Sequence, residues 1–214
     1  RDILHCDMNN FFASVECRLN PELKKYPVAV CGSVEERHGI VLAKNELAKA
    51  QGVKTAETVA SAKSKCRGLV IVPPHFEEYL RYSRLARKIY ERYTNLIEPF
   101  GMDECWLDIS GTRRLFGAPE KVADEIRRTV KEELGLTISV GVSFNKVGSD
   151  MKKPDAVTVI PRETFREKIW NLPLSDMIGA GRATTAKLND YGIYTLGELA
   201  QCDAQWITKV LGKN

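Results

Sequence analysis

The chain has 214 residues, of which 43% are hydrophobic, and a formal net charge of +4. This length allows one large core or two small ones, and the lack of a long apolar run argues against a membrane span. The six cysteines form no C-x-x-C pair, which argues against a zinc site and favours reduced, mostly buried thiols in a cytoplasmic protein.

The first part of the chain is predicted to be an α+β segment. A buried strand ends on Asp7, and a helix runs from Phe11 to about Leu19 with Asn9 or Asn10 as its N-cap. Further strands are predicted at 27–31, 40–43 and 69–72, and helices at 44–51 and 57–66.

The middle of the chain has the clearest periodicity. Helices are predicted at 76–96 and 120–134, a hairpin at 97–100 and 104–109, and strands at 136–142 and 157–160. Strict alternation within 136–142 indicates a half-buried strand, and the pattern after Pro161 is helical. The basic residues between Arg81 and Arg92 suit either a phosphate-bearing partner or a solvated helix face.

These elements follow the order β-α-β-β-α-β, which is typical of a ferredoxin-like sheet. An α+β insertion lies between the first strand and the first helix of that order, and a helical segment follows its last strand. The expected fold class is therefore α+β with a ferredoxin-like centre.

Acidic residues fall where a ferredoxin-like sheet brings strand ends together. Asp7 ends the first strand, while Asp103 and Glu104 lie where the second strand of the hairpin begins. Carboxylates this close repel unless a cation joins them, and Mg²⁺ prefers a few carboxylates with phosphate oxygens. An Asp-Glu pair that simply fills a hairpin turn is the alternative. Asp108, five residues after Asp103, is predicted to face the opposite side and to act as a capping or salt-bridge residue.

Motifs along the whole chain add a family resemblance. They are Asp7–Glu16 (DMNNFFASVE), Gly101–Asp108 (GMDECWLD), Ser139–Lys146 (SVGVSFNK), Ser149–Asp155 (SDMKKPD) and Ile178–Thr184 (IGAGRAT). Each motif alone is moderately specific, but together they resemble the Y-family DNA polymerases, in particular the bacterial DNA polymerase IV type.

The resemblance implies a subdomain organisation. A ferredoxin-like palm is expected at 1–10 and 73–161, a small α+β fingers insertion at 11–72, and a helical thumb at 162–214 with a helix-hairpin-helix-like turn at Gly179 to Gly181. The C-terminal little-finger domain of the family is missing from the sequence, so the chain is expected to be a fragment.

The resemblance also implies roles for individual residues. Asp7, Asp103 and Glu104 would be catalytic and, with the backbone carbonyl of Met8, would hold two Mg²⁺ ions, or Mn²⁺ in their place. The nucleotide would contact Phe11, Phe12, Lys49 and Lys153, with Phe12 as the steric gate beneath the sugar. The DNA would contact Gly179, Gly181, Arg182 and Thr184.

The sequence departs from the family pattern at two internal places. Glu46 and Lys49 stand where the family has a Tyr-x-x-Arg pair that grips the triphosphate; an acid there would repel phosphate, so Lys44 or Lys49 would have to substitute. Between Lys146 and Gly148 the chain is shorter than the family pattern by several helical residues.

The implied function is a template-directed, error-prone translesion DNA polymerase that transfers nucleotides from dNTPs to a primer 3′ end. Its expected partners are primer–template DNA, dNTP and a sliding clamp bound through the missing C-terminal region. A cytoplasmic monomer without membrane contact is expected. The alternatives are a catalytically inactive DNA-binding scaffold of the same fold, and another palm-type two-metal nucleotidyl enzyme such as a cyclase.

Overall fold

The computed structural model describes residues 1–32, 39–150 and 155–212, whose strands form two sheets. The strands are β1 (Ile3–Met8), β2 (Val28–Cys31), β3 (Val41–Lys44), β4 (Val70–Val72), β5 (Ile97–Phe100), β6 (Glu104–Asp108), β7 (Ile138–Ser143) and β8 (Val157–Ile160). The larger sheet has the order β5-β6-β1-β7-β8, and the smaller has the order β3-β2-β4.

Helices connect these strands and make up the C-terminal region. They are α1 (Phe11–Leu19), α2 (Glu46–Ala50), α3 (Val59–Lys65), α4 (Phe76–Tyr90), α5 (Arg113–Phe116), α6 (Pro119–Leu134), α7 (Lys146–Asp150), α8 (Phe165–Ile169), α9 (Arg182–Asp190), α10 (Leu196–Ala200) and α11 (Ala204–Leu211). Short 3-10 turns lie at Pro21–Lys25, Ser110–Thr112, Arg162–Thr164 and Leu174–Asp176. None of the helices in the described ranges is long and apolar enough to cross a bilayer.

The larger sheet has the predicted ferredoxin-like arrangement. Strand β1 lies at its centre, antiparallel to both β6 and β7, and β5 pairs with the outer edge of β6. Strand β8 extends the sheet by pairing parallel to β7. Alternate residues of β1, such as Leu4 and Cys6, join a core with buried residues of α4 and α6, such as Tyr79 and Ile126.

The prediction that strand β7 is half-buried was wrong. Its alternation indicated a half-buried strand, but all six of its residues are buried because helix α7 packs on β1 and β7 from the other side. The contact is so close that a Cβ on Gly141 would lie 1.7 Å from the carbonyl oxygen of Ser149. Only glycine fits at this crossing of strand and helix.

Helix α4 ends at Tyr90, well before the predicted end at residue 96. The chain leaves the helix because it must turn into β5, and Thr94 stabilises that turn. The Thr94 hydroxyl donates to the Asp108 carbonyl (2.7 Å) and accepts from the Leu96 amide (3.1 Å). A tertiary contact therefore overrides the helical periodicity.

The smaller sheet and the C-terminal helices each have a separate core. Buried residues of β2, β3, α2 and α3, among them Ala29 and Ala48, form the first of these cores. Residues of the C-terminal helices, among them Leu174 and Leu188, form the second. Helix α10 begins with a capping box between Thr195 and Glu198.

The cysteines agree with the prediction of reduced thiols. None of the six, all of which lie in the described ranges, forms a disulfide, and each is buried except Cys202, which is partly exposed. Burial raises the pKa of the Cys105 thiol above its ordinary value, and it does the same for Cys17, Cys31 and Cys66.

Candidate active site

Three acidic residues meet at one end of the central strand pair. In the β1–β6 register Asp7 pairs with Glu104, and the Met8 amide donates to the Asp103 carbonyl at 3.0 Å. The side chains of Asp7, Asp103 and Glu104 are all half-buried. The backbone therefore brings the predicted catalytic acids to one end of these two inner strands, where solvent still reaches them.

The turn that carries Asp103 is held from behind by helix α4. Gly101 has a φ of +77°, which glycine adopts without strain, and its carbonyl accepts a 3.0 Å hydrogen bond from the Arg87 guanidinium. Tyr90 lies in the core beneath the same strands. Burial raises its pKa well above the ordinary value, and the negative charges of Asp7 and Asp103 add to this shift.

The acids suit a hard divalent cation. An all-oxygen ligand set with open access to solvent is the type that Mg²⁺ prefers. In the described part of the chain, no three acidic, histidine or cysteine side chains stand close enough together to hold a metal ion between them. Carboxylates repel when no cation joins them, so the convergence of these side chains on one metal site stays a prediction.

The prediction that Asp108 faces away from the acids was wrong. It was predicted to face away from the acids because it lies five residues from Asp103, but β6 begins only at Glu104. Asp108 is therefore four strand residues from Glu104 and lies on the same face, at the far end of β6. Its carboxylate accepts from the Ser110 amide at 2.9 Å, but the N-cap of the 3-10 turn that follows is Ile109, so the capping role stays a prediction.

Phe11 and Phe12 have different environments. Phe11 is 3% exposed and belongs to the main core, whereas Phe12 is half-buried. The Phe12 ring stacks on Tyr79, with centroids 4.2 Å apart and planes 11° apart, and meets the edge of Phe76 at 5.9 Å. One face of Phe12 is therefore fixed by a rigid aromatic neighbour.

Tyr79 is itself anchored by a buried acid. Its hydroxyl donates to the carboxylate of Glu16, which is 3% exposed and also lies 2.9 Å from Nδ1 of His75. Burial and this hydrogen bond raise the pKa of Tyr79 above its ordinary value. The phenol accordingly remains a neutral donor, and its hydrogen bond to Glu16 holds the Tyr79 ring in place against Phe12.

Asn10 does not act as the predicted helix cap. It stands at the N-cap position of α1, but its backbone is left-handed (φ 49°) and its side chain makes no capping hydrogen bond. Instead Nδ2 donates to Oε1 of Glu46 at 2.8 Å, which links the start of α1 to α2. This hydrogen bond is the largest cause of the lowered pKa of Glu46.

Lysines surround Glu46. The ammonium of Lys49 lies 3.4 Å from Oε1 of Glu46, and both side chains are exposed. The ammonium of Lys44 donates to Thr55 at 2.8 Å, and burial lowers the pKa of Lys44. The predicted nucleotide contact at Lys153 lies outside the described residues.

The predicted DNA-binding turn precedes helix α9. Gly179 has a φ of +84°, and α9 begins at Arg182 after its N-cap residue Gly181, which has no side chain to cap the first amides. Gly179, Gly181 and Arg182 are exposed, and Thr184 is partly buried. Uncapped amides at a helix N-terminus are suited to bind an anion.

Sequence reasoning missed the group that lies beside Glu104. His5 and Trp106 are paired in the β1–β6 register, on the face that carries Asp7 and Glu104. The alternation of β1 was enough to place His5 on that face, two residues before Asp7.

Comparison with known proteins identifies the family. The sequence profile of the impB/mucB/samB family matches residues 6–152, and that of the IMS family HHH motif matches residues 162–193. The chain belongs to the impB/mucB/samB family. The HHH match includes Gly179 to Thr184, the turn and helix start described above.

Named proteins are similar to this family member over its whole length. DNA polymerase IV of Acetivibrio thermocellus is 57% identical and DNA polymerase IV 1 of Bacillus subtilis is 41% identical, in each case across 100% of the chain. The chain spans 54% and 52% of those two proteins, about half of their length.

Solved structures give the same result for the fold. DinB from Sulfolobus solfataricus (26% identity, TM-score 0.85) and a Y-family DNA polymerase chimera (26%, 0.90) each cover 100% of this chain, which spans 64% of theirs. The resemblance to the Y-family polymerases is thereby confirmed. We use "palm" for the larger sheet with α4 and α6, "fingers" for the smaller sheet with α2 and α3, and "thumb" for the helices after Pro161.

Proposed function

We propose that the protein to which this chain belongs is a template-directed DNA polymerase of the error-prone translesion class. The observation that carries the proposal is the pairing of Asp7 with Glu104 beside Asp103 at an open edge of the palm. The relatives named DNA polymerase IV support it. The proposed reaction is nucleotidyl transfer from a dNTP to a primer 3′ end.

Asp7, Asp103, Glu104 and the backbone carbonyl of Met8 are the proposed ligands of two Mg²⁺ ions, with Mn²⁺ as a substitute. When bound, such a pair of cations stabilises the entering and leaving oxygens of the phosphoryl transfer. The chain's own part is to hold the acids at one sheet edge. The β1–β6 register and the Arg87 contact to Gly101 do this before any cation binds.

The nucleotide is proposed to lie against α1 and the fingers. Phe12 would exclude a ribose because its ring is held by Tyr79 and cannot retreat from an added hydroxyl. Phe11 supports it from the core. Lys49, and Lys153 outside the described residues, would contact the triphosphate.

DNA is proposed to contact the thumb at Gly179, Gly181, Arg182 and Thr184. Backbone amides and one arginine at a helix start bind phosphate without reading bases. We further propose the subdomain boundaries 1–10 and 73–161, 11–72, and 162–214, a cytoplasmic monomer, and a sliding clamp as partner of the full-length protein.

Primer extension by the full-length protein tests the proposal. Extension that requires Mg²⁺ or Mn²⁺, a template and dNTPs is expected. DNA binding without extension would favour the inactive scaffold instead. Turnover of nucleotide without DNA would favour a palm enzyme of the cyclase type.

A further inference from the structure

His5 lies in a layered stack on the palm face that carries the acids. It is fully buried, and its ring stacks on Trp106 with centroids 4.4 Å apart and planes 15° apart. The ammonium of Lys146 lies 4.9 Å from the centroid of the Trp106 ring, and Phe100 lies 5.1 Å from it. Neighbours on several sides therefore keep the imidazole from turning away.

The His5 ring of this stack also contacts the side chain of Glu104. Nε2 of His5 lies 3.5 Å from Oε2 of Glu104, whose side chain is 25% exposed. In the register His5 pairs with Trp106 while Asp7 pairs with Glu104, so His5 and Glu104 are diagonal neighbours on one face. A small rotation of the carboxylate turns this contact into a hydrogen bond from an Nε2–H tautomer.

We infer that His5 is a positioning residue for Glu104. It holds one carboxylate oxygen of Glu104 toward the sheet, which would leave the other oxygen available to a bound cation. This inference rests on the proposed function, and it deepens the description of the same site. The physical basis is general: groups that hydrogen-bond a metal ligand set its orientation, and their loss typically lowers metal affinity or activity about 10- to 100-fold.

The packing role of His5 can be separated from its polar role. Stacking on Trp106 needs only a flat ring, which phenylalanine also supplies. Contact with Glu104 needs a nitrogen. His5→Phe therefore keeps the stack and removes the contact, whereas His5→Gln keeps an N–H donor and removes the ring.

The test uses the full-length protein with a dideoxy-terminated primer–template and dNTP. Bound Mn²⁺ is measured from the free Mn²⁺ signal in electron paramagnetic resonance. For His5→Phe we expect a Mn²⁺ Kd about 10- to 100-fold higher than in the wild type, a small change in Tm, and a rise of the same size in the Mg²⁺ concentration for half-maximal extension.

Asp2→Asn is the control. It removes an ion pair of another acid, that of Asp2 with Arg113 at 3.4 Å, at the opposite end of β1 from Asp7. We expect its Mn²⁺ Kd to equal that of the wild type. Equal Mn²⁺ affinity in His5→Phe and wild type would overturn the inference.

Two further outcomes keep the test decisive. If His5→Phe does not fold, His5→Gln is compared with His5→Leu. A Kd nearer to wild type in His5→Gln supports the inference, and equal weakening in both overturns it. A wild-type protein that neither binds Mn²⁺ nor extends primers would refute the proposed function itself, which separates that failure from a failure of the inference.

Discussion

Asp7 and Glu104 face each other across β1 and β6, in a register that continues for five residue pairs toward the opposite end of the sheet. The register fixes the distance between their backbones, and this is the basis of the proposed shared cation site. Asp103 adds a further acid through the hydrogen bond between its carbonyl and Met8. The catalytic proposal therefore depends on the backbone pairing of β1 and β6.

Removal of one acid charge is the first test of this geometry. Glu104→Gln and Asp103→Asn keep the size of each side chain but remove its charge, and we expect the extension rate to fall about 100-fold or more, as when one preorganised charge-stabilising group is lost. Tm should stay equal or rise, because carboxylate repulsion is relieved. Asp108→Asn, at the other end of β6, is the control and should extend primers normally. A normal rate in Glu104→Gln would remove that residue from the site.

Phe12 provides a test of sugar selection. In the wild type the Phe12 ring fills the space beside Tyr79, and forcing an extra group into a filled space typically costs about 1–3 kcal/mol. Phe12→Ala opens that space and removes this cost. We expect discrimination against ribonucleotides to fall by about 10- to 100-fold while deoxynucleotide incorporation is largely kept. Single-nucleotide incorporation with paired dNTP and rNTP measures the ratio. Tyr194→Ala, an exposed aromatic change in the thumb, should leave the ratio as in the wild type.

An unchanged ratio in Phe12→Ala would remove Phe12 from the nucleotide pocket. A collapse of Tm with loss of both activities would instead assign Phe12 to the core between palm and fingers.

Glu46 and Lys49 give a test in the fingers. The Glu46 carboxylate competes with a triphosphate for the Lys49 ammonium, and exposed pairs of this kind are worth about 0–1 kcal/mol. Glu46→Gln keeps an acceptor for Asn10 but removes the charge, so we expect the KM for dNTP to fall by up to about 5-fold with kcat little changed. Lys49→Met should raise this KM.

The matched control for the fingers is Glu22→Gln. Glu22 and Lys25 form an exposed pair with the same spacing along the chain, in a 3-10 turn. This variant should have the wild-type KM. A higher KM in Glu46→Gln would mean that Glu46 positions Lys49 instead of competing for it.

The thumb turn is tested by salt dependence. If Arg182 contacts a phosphate, Arg182→Ala should weaken binding of the full-length protein to all DNA sequences alike, and should lower the slope of log affinity against log salt by about 1. Arg114→Ala, an exposed change in α5, is the control and should keep the wild-type slope. An effect confined to one DNA sequence would contradict recognition of the backbone.

Gly141 tests the crossing of β7 and α7. An alanine Cβ would overlap the Ser149 carbonyl, so we expect Gly141→Ala to lower the free energy of unfolding by about 1–3 kcal/mol or more. Gly111→Ala meets no atom within 4 Å and should change it by less than about 0.5 kcal/mol. Urea unfolding followed by circular dichroism measures both. Equal stability of the two variants would mean that α7 moves away from β7 easily.

Local patterns predicted much of the fold. The hairpin of β5 and β6 and helix α6 were placed within one residue because alternation, helical spacing and a closing glycine all agreed there. The end of α4 was missed because Thr94 bonds to Asp108 and Leu96, a contact that no local pattern contains. The burial of both faces of β7 depends in the same way on α7, a neighbour that periodicity does not reveal.

The pairing of two of the acids in the sheet could be predicted, whereas their surroundings could not, and their role as a site stays a prediction. Acids at strand ends follow from chain order, so Asp7 and Glu104 could be paired in advance. The link from Asn10 to Glu46 could not, because it requires a left-handed backbone at a residue other than glycine. The alternation of β1 places His5 on the same face as Asp7, but its stacking on Trp106 and its contact with Glu104 depend on the partner strand.

The buried thiols give the protein a built-in chemical probe. Cys6 and Cys105 are register partners directly behind Asp7 and Glu104, while Cys202 is partly exposed in the thumb. A thiol-alkylating reagent will modify Cys202 quickly and will reach Cys105 only when the core between the larger sheet and its helices opens. The rate at which Cys105 is labelled therefore reports how often that core opens, without any added fluorophore or tag.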